Sequence, residues 1–300
     1  MTPIEQRRLH LADGSVCGMA RREGGRDGTS PILYLHGLLG SRLEPFLAEP
    51  AACATAPEAL PHPLVAFDRP GYGWSDPLER PSFALLAARL AAALEAAGVT
   101  PSLIVGASAG GPCAAALAAR FHARSDARPP ALLLVGAVGD PGLVRSAPMP
   151  MRLLGWLQDH GRLRGFTVGQ VRRLLTRPAV ADPILRRMLE AERRGLARIT
   201  DLDALARHLA HSLEAGLRSD GRGVETDIAL LTRPWDFAPA DIRGPVMLLH
   251  GRADGVVPPE HARWWKSVLP DARLEWLEDQ GHVGSVVAAR AFARAWPGRP

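Results

Sequence analysis

One stretch constrains the fold of this chain more than any other. From Ser102 to Gly111 it reads Ser-Leu-Ile-Val-Gly-Ala-Ser-Ala-Gly-Gly. Leu103-Ile104-Val105 is an apolar run with no polar alternation, as expected of a strand buried on both faces. It breaks into small residues around one hydroxyl, Ser108, and the alanine-rich segment that continues to Phe121 is predicted to be helix. A strand, a sharp turn and a helix with a serine at the turn fit the pattern G-x-S-x-G over Gly106 to Gly110. Such a turn forces its serine into a strained backbone conformation, and side chains at the two glycine positions would collide with the turn's own neighbours. The following helix aims its free N–H groups and the positive end of its dipole back at the serine. The pattern is short and made of common residues, so partners elsewhere in the chain have to decide what it means.

The rest of the chain supplies a rhythm of strands and helices. Glu5–Leu11 and Val16–Arg22 are two strand-like runs around the hairpin turn Asp13-Gly14. Pro31–Leu35, Leu64–Phe67, Ala131–Val135 and Val246–Leu249 are apolar throughout, and Arg273–Leu277 is a further strand. Between them lie predicted helices: Ser82 caps one that runs to Ala97 and closes at Gly98, one short helix is expected within 41–63, another spans Glu260–Leu269, and a closing helix spans Ser285–Trp296. Strands alternating with helices give a mostly parallel sheet flanked by helices, an α/β fold. From Pro141 to about Trp235 the strand rhythm stops, and Val168–Arg177, Pro183–Ile199 and Leu202–Arg218 show helical spacing dense in arginine. The expected organisation is a core of residues 1–140 and 236–300 interrupted by a helical insertion over 141–235.

Composition narrows the classes. Three hundred residues, 47% hydrophobic and 22% charged, are ordinary globular material able to bury a large core. The net charge of +5 comes almost wholly from arginine, Lys266 being the only lysine. These arginines alternate with leucine and alanine along helical stretches, as solvated faces do, and no basic block interleaved with aromatics argues for a nucleic-acid partner. Cys17, Cys53 and Cys113 are odd in number and widely spaced, which argues against a disulfide framework or a zinc site and for a reducing compartment. No apolar run approaches the roughly 20 residues of a membrane span, and residues 1–11 lack the apolar region of a signal peptide. The expectation is a cytoplasmic protein with a small-molecule substrate, no cofactor and no metal.

In an open parallel sheet, reactive groups collect where the strands end. Four such ends carry unusual residues: His36-Gly37-Leu38, Ser108, Asp254 and His282. Serine, then acid, then histidine is the chain order expected behind a G-x-S-x-G turn. With H-G-L-L-G at 36–40, D-R-P-G-Y-G-W-S-D at 68–76, G-A-S-A-G-G at 106–111, L-L-H-G-R-A-D at 248–254 and G-H-V at 281–283, the sequence resembles the α/β-hydrolase fold family. By its position the insertion then looks like that family's cap. The resemblance implies a serine hydrolase without cofactor: Ser108 as nucleophile, His282 as general base and acid, Asp254 as the residue that orients it, and the backbone N–H groups of Leu38 and Ala109 as the oxyanion hole. Asp140, after the 131–135 strand, occupies an alternative acid position used by some members. A serine nucleophile disfavours the dehalogenase and epoxide hydrolase branches, which use a carboxylate. Tyr34 and Tyr72, the only tyrosines, lie outside the insertion, where the epoxide hydrolases keep their tyrosine pair. Carboxylic ester hydrolysis is the expected reaction; C–C hydrolase, lactonase, thioesterase, perhydrolase, acyltransferase and ligand-receptor roles use the same constellation.

Several conspicuous residues read as structural. His36 is expected to order its loop, His250 to be structural, Asp68 with Arg69 to fix a turn, and Cys113 to act as a small buried hydrophobe. Gly71-Tyr72-Gly73 lacks the third glycine of a dinucleotide fingerprint. His208, His211 and Glu214 could share a helix face, but no fourth ligand is near, so a solvated face is expected rather than a metal site.

Overall fold

A computed structural model describes residues 3–26, 28–46, 60–123, 129–149, 151–196, 201–269 and 271–297. Eight strands form one sheet: β1 (Glu5–His10), β2 (Val16–Arg22), β3 (Ile32–Leu35), β4 (Leu64–Phe67), β5 (Leu103–Ala107), β6 (Ala131–Val135), β7 (Val246–Gly251) and β8 (Arg273–Leu277). Their order is β1-β2-β4-β3-β5-β6-β7-β8. β1 and β2 form the expected hairpin, with Gly14 in the left-handed region, and β2 runs antiparallel to β4. Every later pairing is parallel. From β3 the chain steps to β4 on one side, and then to β5 on the other. That reversal opens a crevice at the carboxyl ends of β3 and β5, which is where His36-Gly37-Leu38 and Ser108 emerge.

The apolar runs are buried on both faces because helices cover both. α1 (Phe83–Ala96), α2 (Gly110–His122) and α9 (Glu260–Val268) pack with Leu33, Leu35, Val65, Phe67 and Ile104 on one face. α10 (His282–Ala295) packs through Ala289 and Ala293 with Ile32, Tyr34, Ala66, Leu103 and Val105 on the other. Alternate residues of each strand serve opposite clusters, the period of a pleated sheet. As expected, Ser82 caps α1 by accepting from the Leu85 N–H at 3.2 Å. Cys17 and Cys113 are buried free thiols; Cys53 lies outside the described residues. Among the described residues no helix is long and apolar enough to cross a membrane.

Between β6 and β7 the described residues form no strand: the helices are α3 (Pro141–Ser146), α4 (Met151–Asp159), α5 (Gly161–Leu175), α6 (Pro178–Ala191), α7 (Leu202–Gly216) and α8 (Arg222–Thr232), followed by a 3₁₀ turn at Pro239–Asp241. Two expectations need adjusting. A helix starting at Pro183 instead begins at Pro178 and runs through Pro183, because Ala181, Leu185 and Leu189 form a buried stripe that continues across the proline. The closing helix begins at His282 rather than Ser285, for a reason given below. Within 41–63 the described residues show only a short 3₁₀ turn, Glu44–Phe46; residues 47–59 lie outside the described set.

One buried ion pair joins this helical segment to the sheet. Arg69, just after β4, donates from Nη1 and Nη2 to the two carboxylate oxygens of Asp227 on α8, the Nη2 bond to Oδ2 being 2.8 Å long. Tyr72 Oη donates to the same Oδ2 at 2.6 Å. Both charged side chains are about 1% exposed. Removing one partner strands the other charge in the interior. Asp227→Ala is therefore expected to lose about 3–5 kcal/mol of stability, read as a lower urea midpoint at unchanged m-value; a loss below about 1 kcal/mol would contradict this account of the joint.

Candidate active site

Ser108 sits between the end of β5 and the start of α2 with φ +53°. Among the described residues only Leu39 shares a left-handed φ without being glycine. Such a conformation costs of order 1–3 kcal/mol and persists only where the surroundings enforce it. They do so here by close packing. A Cβ on Gly106 would stand 2.6 Å from Ala114 Cβ, and one on Gly110 would run into the Leu35 carbonyl. The two glycines of the sequence pattern are thus required by contact with α2 and β3.

His282 faces the same cavity as Ser108. Its Nδ1 bonds Asp254 Oδ2 at 2.8 Å, while Asp254 Oδ1 accepts from the Val256 and Val257 N–H groups at 2.9 and 2.8 Å. Burial alone would raise the Asp254 pKa, but the His282 charge and hydrogen bond, His250 and the backbone donors outweigh it and hold the carboxyl below its usual range. Burial pushes His282 the other way, down; Asp254 first, then Glu192 and Glu44, overcome it and hold the imidazole above its ordinary value. Among the described residues no hydrogen bond joins His282 to the Ser108 hydroxyl. Asp140 is elsewhere occupied: its carboxylate caps α3 by accepting from the Gly142 N–H at 2.7 Å.

The loop after β3 is fixed from three sides. His36 Nε2 accepts the Arg69 N–H at 3.0 Å, so Nδ1 carries the proton toward the Gly37 carbonyl at 2.8 Å. Burial keeps this imidazole neutral, its pKa well below the ordinary value. Arg69 donates from Nε to the His36 carbonyl at 2.9 Å and from Nη2 to the Gly37 carbonyl at 3.0 Å. The Glu44 carboxylate accepts the Gly37 N–H at 3.1 Å and the Tyr34 hydroxyl at 2.7 Å. Leu38 and Ala109 both line the cavity, and neither backbone amide has an acceptor among the described residues.

Of the five residues expected to share one cleft, Ser108, His282, Leu38 and Ala109 line the cavity, and Asp254 lies buried behind His282, bonded to its Nδ1. Sequence reasoning missed three groups. Arg69 was read with Asp68 as part of a turn, yet it clamps the loop after β3 and reaches Asp227; Asp68 does hold the turn, pairing with Arg42 at 2.7 Å and accepting the Trp74 N–H at 2.9 Å. Glu44 follows the H-G-L-L-G run and was not singled out. Glu192, at the end of α6, was equally silent. Its carboxylate accepts the N–H groups of His282, Val283 and Gly284 at 2.9, 3.2 and 2.9 Å. That cap explains why α10 starts at His282: an acceptor from another helix satisfies amides that would otherwise need a residue before Ser285. His208 instead bonds the Leu43 carbonyl at 3.3 Å.

The cavity measures about 580 Å³ and is lined overwhelmingly by aliphatic side chains of α4, α5, α6 and α7 on one side and of the sheet and α10 on the other. Glu44, Arg172 and Arg290 are its charged lining residues. The expectation of solvent-facing arginines on the helical segment fails at Arg172, which is half-buried against the cavity and donates to the Ser219 carbonyl at 3.3 Å. A strained hydroxyl, an imidazole oriented by an ionised carboxylate and two unengaged amides at one apolar cavity are the parts that acyl-transfer chemistry requires.

Comparison with known proteins places the fold. The chain is 37% identical over 100 residues to a pimeloyl-[acyl-carrier protein] methyl ester esterase of Aromatoleum aromaticum, covering 33% of this chain and 39% of that protein. It is 29% identical over 287 residues to a dihydrolipoyllysine-residue acetyltransferase component of an acetoin cleaving system of Cupriavidus necator, covering 93% and 65%. The chain thus spans less than two thirds of the length of either. An alpha/beta hydrolase fold protein from Nakamurella multipartita superposes with a TM-score of 0.64 at 21% identity, covering 97% of this chain and 99% of the other. The esterase EaEST from Exiguobacterium antarcticum does so with 0.63 at 16% identity, covering 97% of both. The family described as the alpha/beta hydrolase fold matches residues 30–289, and the chain belongs to it.

Proposed function

We propose that this alpha/beta hydrolase cleaves carboxylic esters through an acyl-enzyme on Ser108. The observation that carries the reading is the left-handed Ser108 facing the same cavity as the His282–Asp254 pair. Ser108 Oγ attacks the ester carbonyl carbon as its proton passes to His282 Nε2. The Leu38 and Ala109 amides receive the oxyanion. The C–O bond to the alcohol breaks, and His282 returns the proton to the departing oxygen. Water then attacks the acyl carbon, again giving its proton to His282; the free acid leaves and Ser108 regains its hydrogen. Asp254 stays ionised throughout, fixing the imidazole's tautomer. Residues 141–235 act as a helical cap, and the aliphatic cavity between cap and core favours an uncharged acyl or alkyl group. The relative named as a methyl ester esterase supports hydrolysis. The relative named as an acetyltransferase component favours transfer to an acceptor other than water, and the product decides: free acid, or acylated acceptor.

A fluorophosphonate is expected to label Ser108 once, with Ser108→Ala abolishing the label; labelling of another serine in folded protein overturns the assignment. Asp254→Asn should lower kcat by up to about 10⁴-fold, whereas Asp140→Asn, which keeps a capping oxygen and removes only a local charge, should stay within about tenfold on protein of matched melting temperature. The reverse order moves the acid to Asp140.

The raised His282 pKa has a kinetic sign. The base must be neutral to accept a proton, so kcat/KM should climb with pH through a value above that of an ordinary histidine. Glu192→Gln removes one of the charges holding that value up, so the acid limb of the profile should move to lower pH. An acid limb that stays in place would show that Glu192 serves α10 without acting on the base.

A further inference from the structure

The outer face of the helical segment is unlike the rest of the surface. Among the described residues seven large hydrophobic side chains are exposed, and six of them, Met149, Trp156, Leu163, Phe166, Leu174 and Ile184, fall between 149 and 184. The chain from 145 to 187 carries nine arginines against Asp159 and Asp182. Arg145 pairs with Asp159 and Arg186 with Asp203, while Arg162 and Arg173 on α5 have no carboxylate partner among the described residues.

Helix α5 concentrates the anomaly. At 3.6 residues per turn, Val168, Val171 and Leu175 share the face that lines the cavity. Leu163, Phe166 and Leu174 lie on the adjoining, outward-turned side, and Phe166 is 67% exposed. Arg162 and Arg173 border that outer row. A surface helix of a protein surrounded only by water turns its apolar face inward; the apolar arc of this one extends well onto its exposed side. Ile184 both lines the cavity and is 52% exposed, so the outer apolar surface is continuous with the cavity.

We propose that this face of α4–α6 docks on an anionic lipid surface, with Leu163, Phe166 and Leu174 entering the acyl boundary and Arg162 and Arg173 meeting the headgroups. The pattern of apolar residues on one face beside unpaired arginines is that of helices lying in the plane of a membrane interface. A second copy of the chain is disfavoured as occupant, because two surfaces each so rich in arginine repel. Delivery of esters from the lipid through the opening at Ile184 rests on the ester hydrolase reading; the docking itself does not.

Vesicle co-sedimentation tests it. The intact protein at low salt should pellet with phosphatidylglycerol/phosphatidylcholine vesicles and far less with phosphatidylcholine alone. Leu163→Ser with Phe166→Ser should weaken that binding by on the order of 10–100-fold. Arg162→Gln and Arg173→Gln should each weaken it about fivefold. Leu85→Ser, at an exposed large hydrophobic outside the patch, should change nothing. All these side chains are exposed, so matched thermal melts are expected, and turnover of a short water-soluble aryl ester should be unaffected. Failure of the wild type to bind anionic vesicles overturns the proposal. So does binding that survives Leu163→Ser/Phe166→Ser and is lost only with salt, which would mark a charge-only surface for an acidic protein. A wild-type dimer that becomes monomeric with Phe166→Ser overturns it in favour of self-association. If vesicle binding holds while every ester is left intact, docking stands and the ester hydrolase reading falls.

Discussion

The arrangement of the cleft depends on one buried guanidinium. Arg69 is almost wholly inside the protein, where a charge is tolerated only if its donors are matched. Its partners are the His36 and Gly37 carbonyls and the Asp227 carboxylate. In a trans peptide the carbonyl and the following N–H point opposite ways. Holding the Gly37 carbonyl toward Arg69 therefore turns the Leu38 amide away from it, and holding the His36 carbonyl turns the Gly37 amide toward Glu44. Two consecutive peptide planes are set by one side chain and a carboxylate. The same cation recruits Asp227, so the proposed oxyanion loop and the attachment of the helical segment share a single electrostatic centre.

The other end of the cleft has a different kind of joint. Glu192 is half-buried and reaches α10 through three backbone amides, not through a cation. A carboxylate at a helix N-terminus is favoured by the dipole as well as by the hydrogen bonds. Here it also fixes the backbone of His282, the first residue of that helix, beside Asp254. The helical segment is thus more than a cover: it supplies one carboxylate to each half of the site, Asp227 on the Ser108 side through Arg69 and Glu192 on the His282 side.

Much of the fold was legible because local signals agreed with it. Apolar runs such as Ile104-Val105 and Leu132–Val135 are too short for helices and too uniform for an edge strand, and each is a central strand. Gly106 and Gly110 around Ser108 foretold a turn that only small residues permit. The order serine, acid, histidine at strand ends was readable because a parallel sheet puts those ends together. What stayed illegible involves partners distant in sequence. Nothing at Glu192 announces that its carboxylate caps a helix 90 positions later, so the start of α10 was placed late at Ser285. Nothing near Arg69 points to Asp227, 158 positions on. The arginines of α5 were read as a solvated face because alternation with leucine gives periodicity but not direction. Whether Leu163 or Val168 faces the interior is decided by which side α8 and the cavity lie on.

Helix α5 has fifteen residues and only Val168 fully buried. Free energy of local opening scales with what a segment would expose, and a helix resting on one valine and the rim of a cavity sits at the low end of that range. β5, β6 and α2, by contrast, are buried along nearly their whole length. The rigidity of this molecule is therefore graded across the cleft: the wall that holds Ser108 is stiff, and the opposite wall is compliant. The dimensions of the chamber belong to that softer wall, while the positions of the reacting atoms belong to the stiffer one.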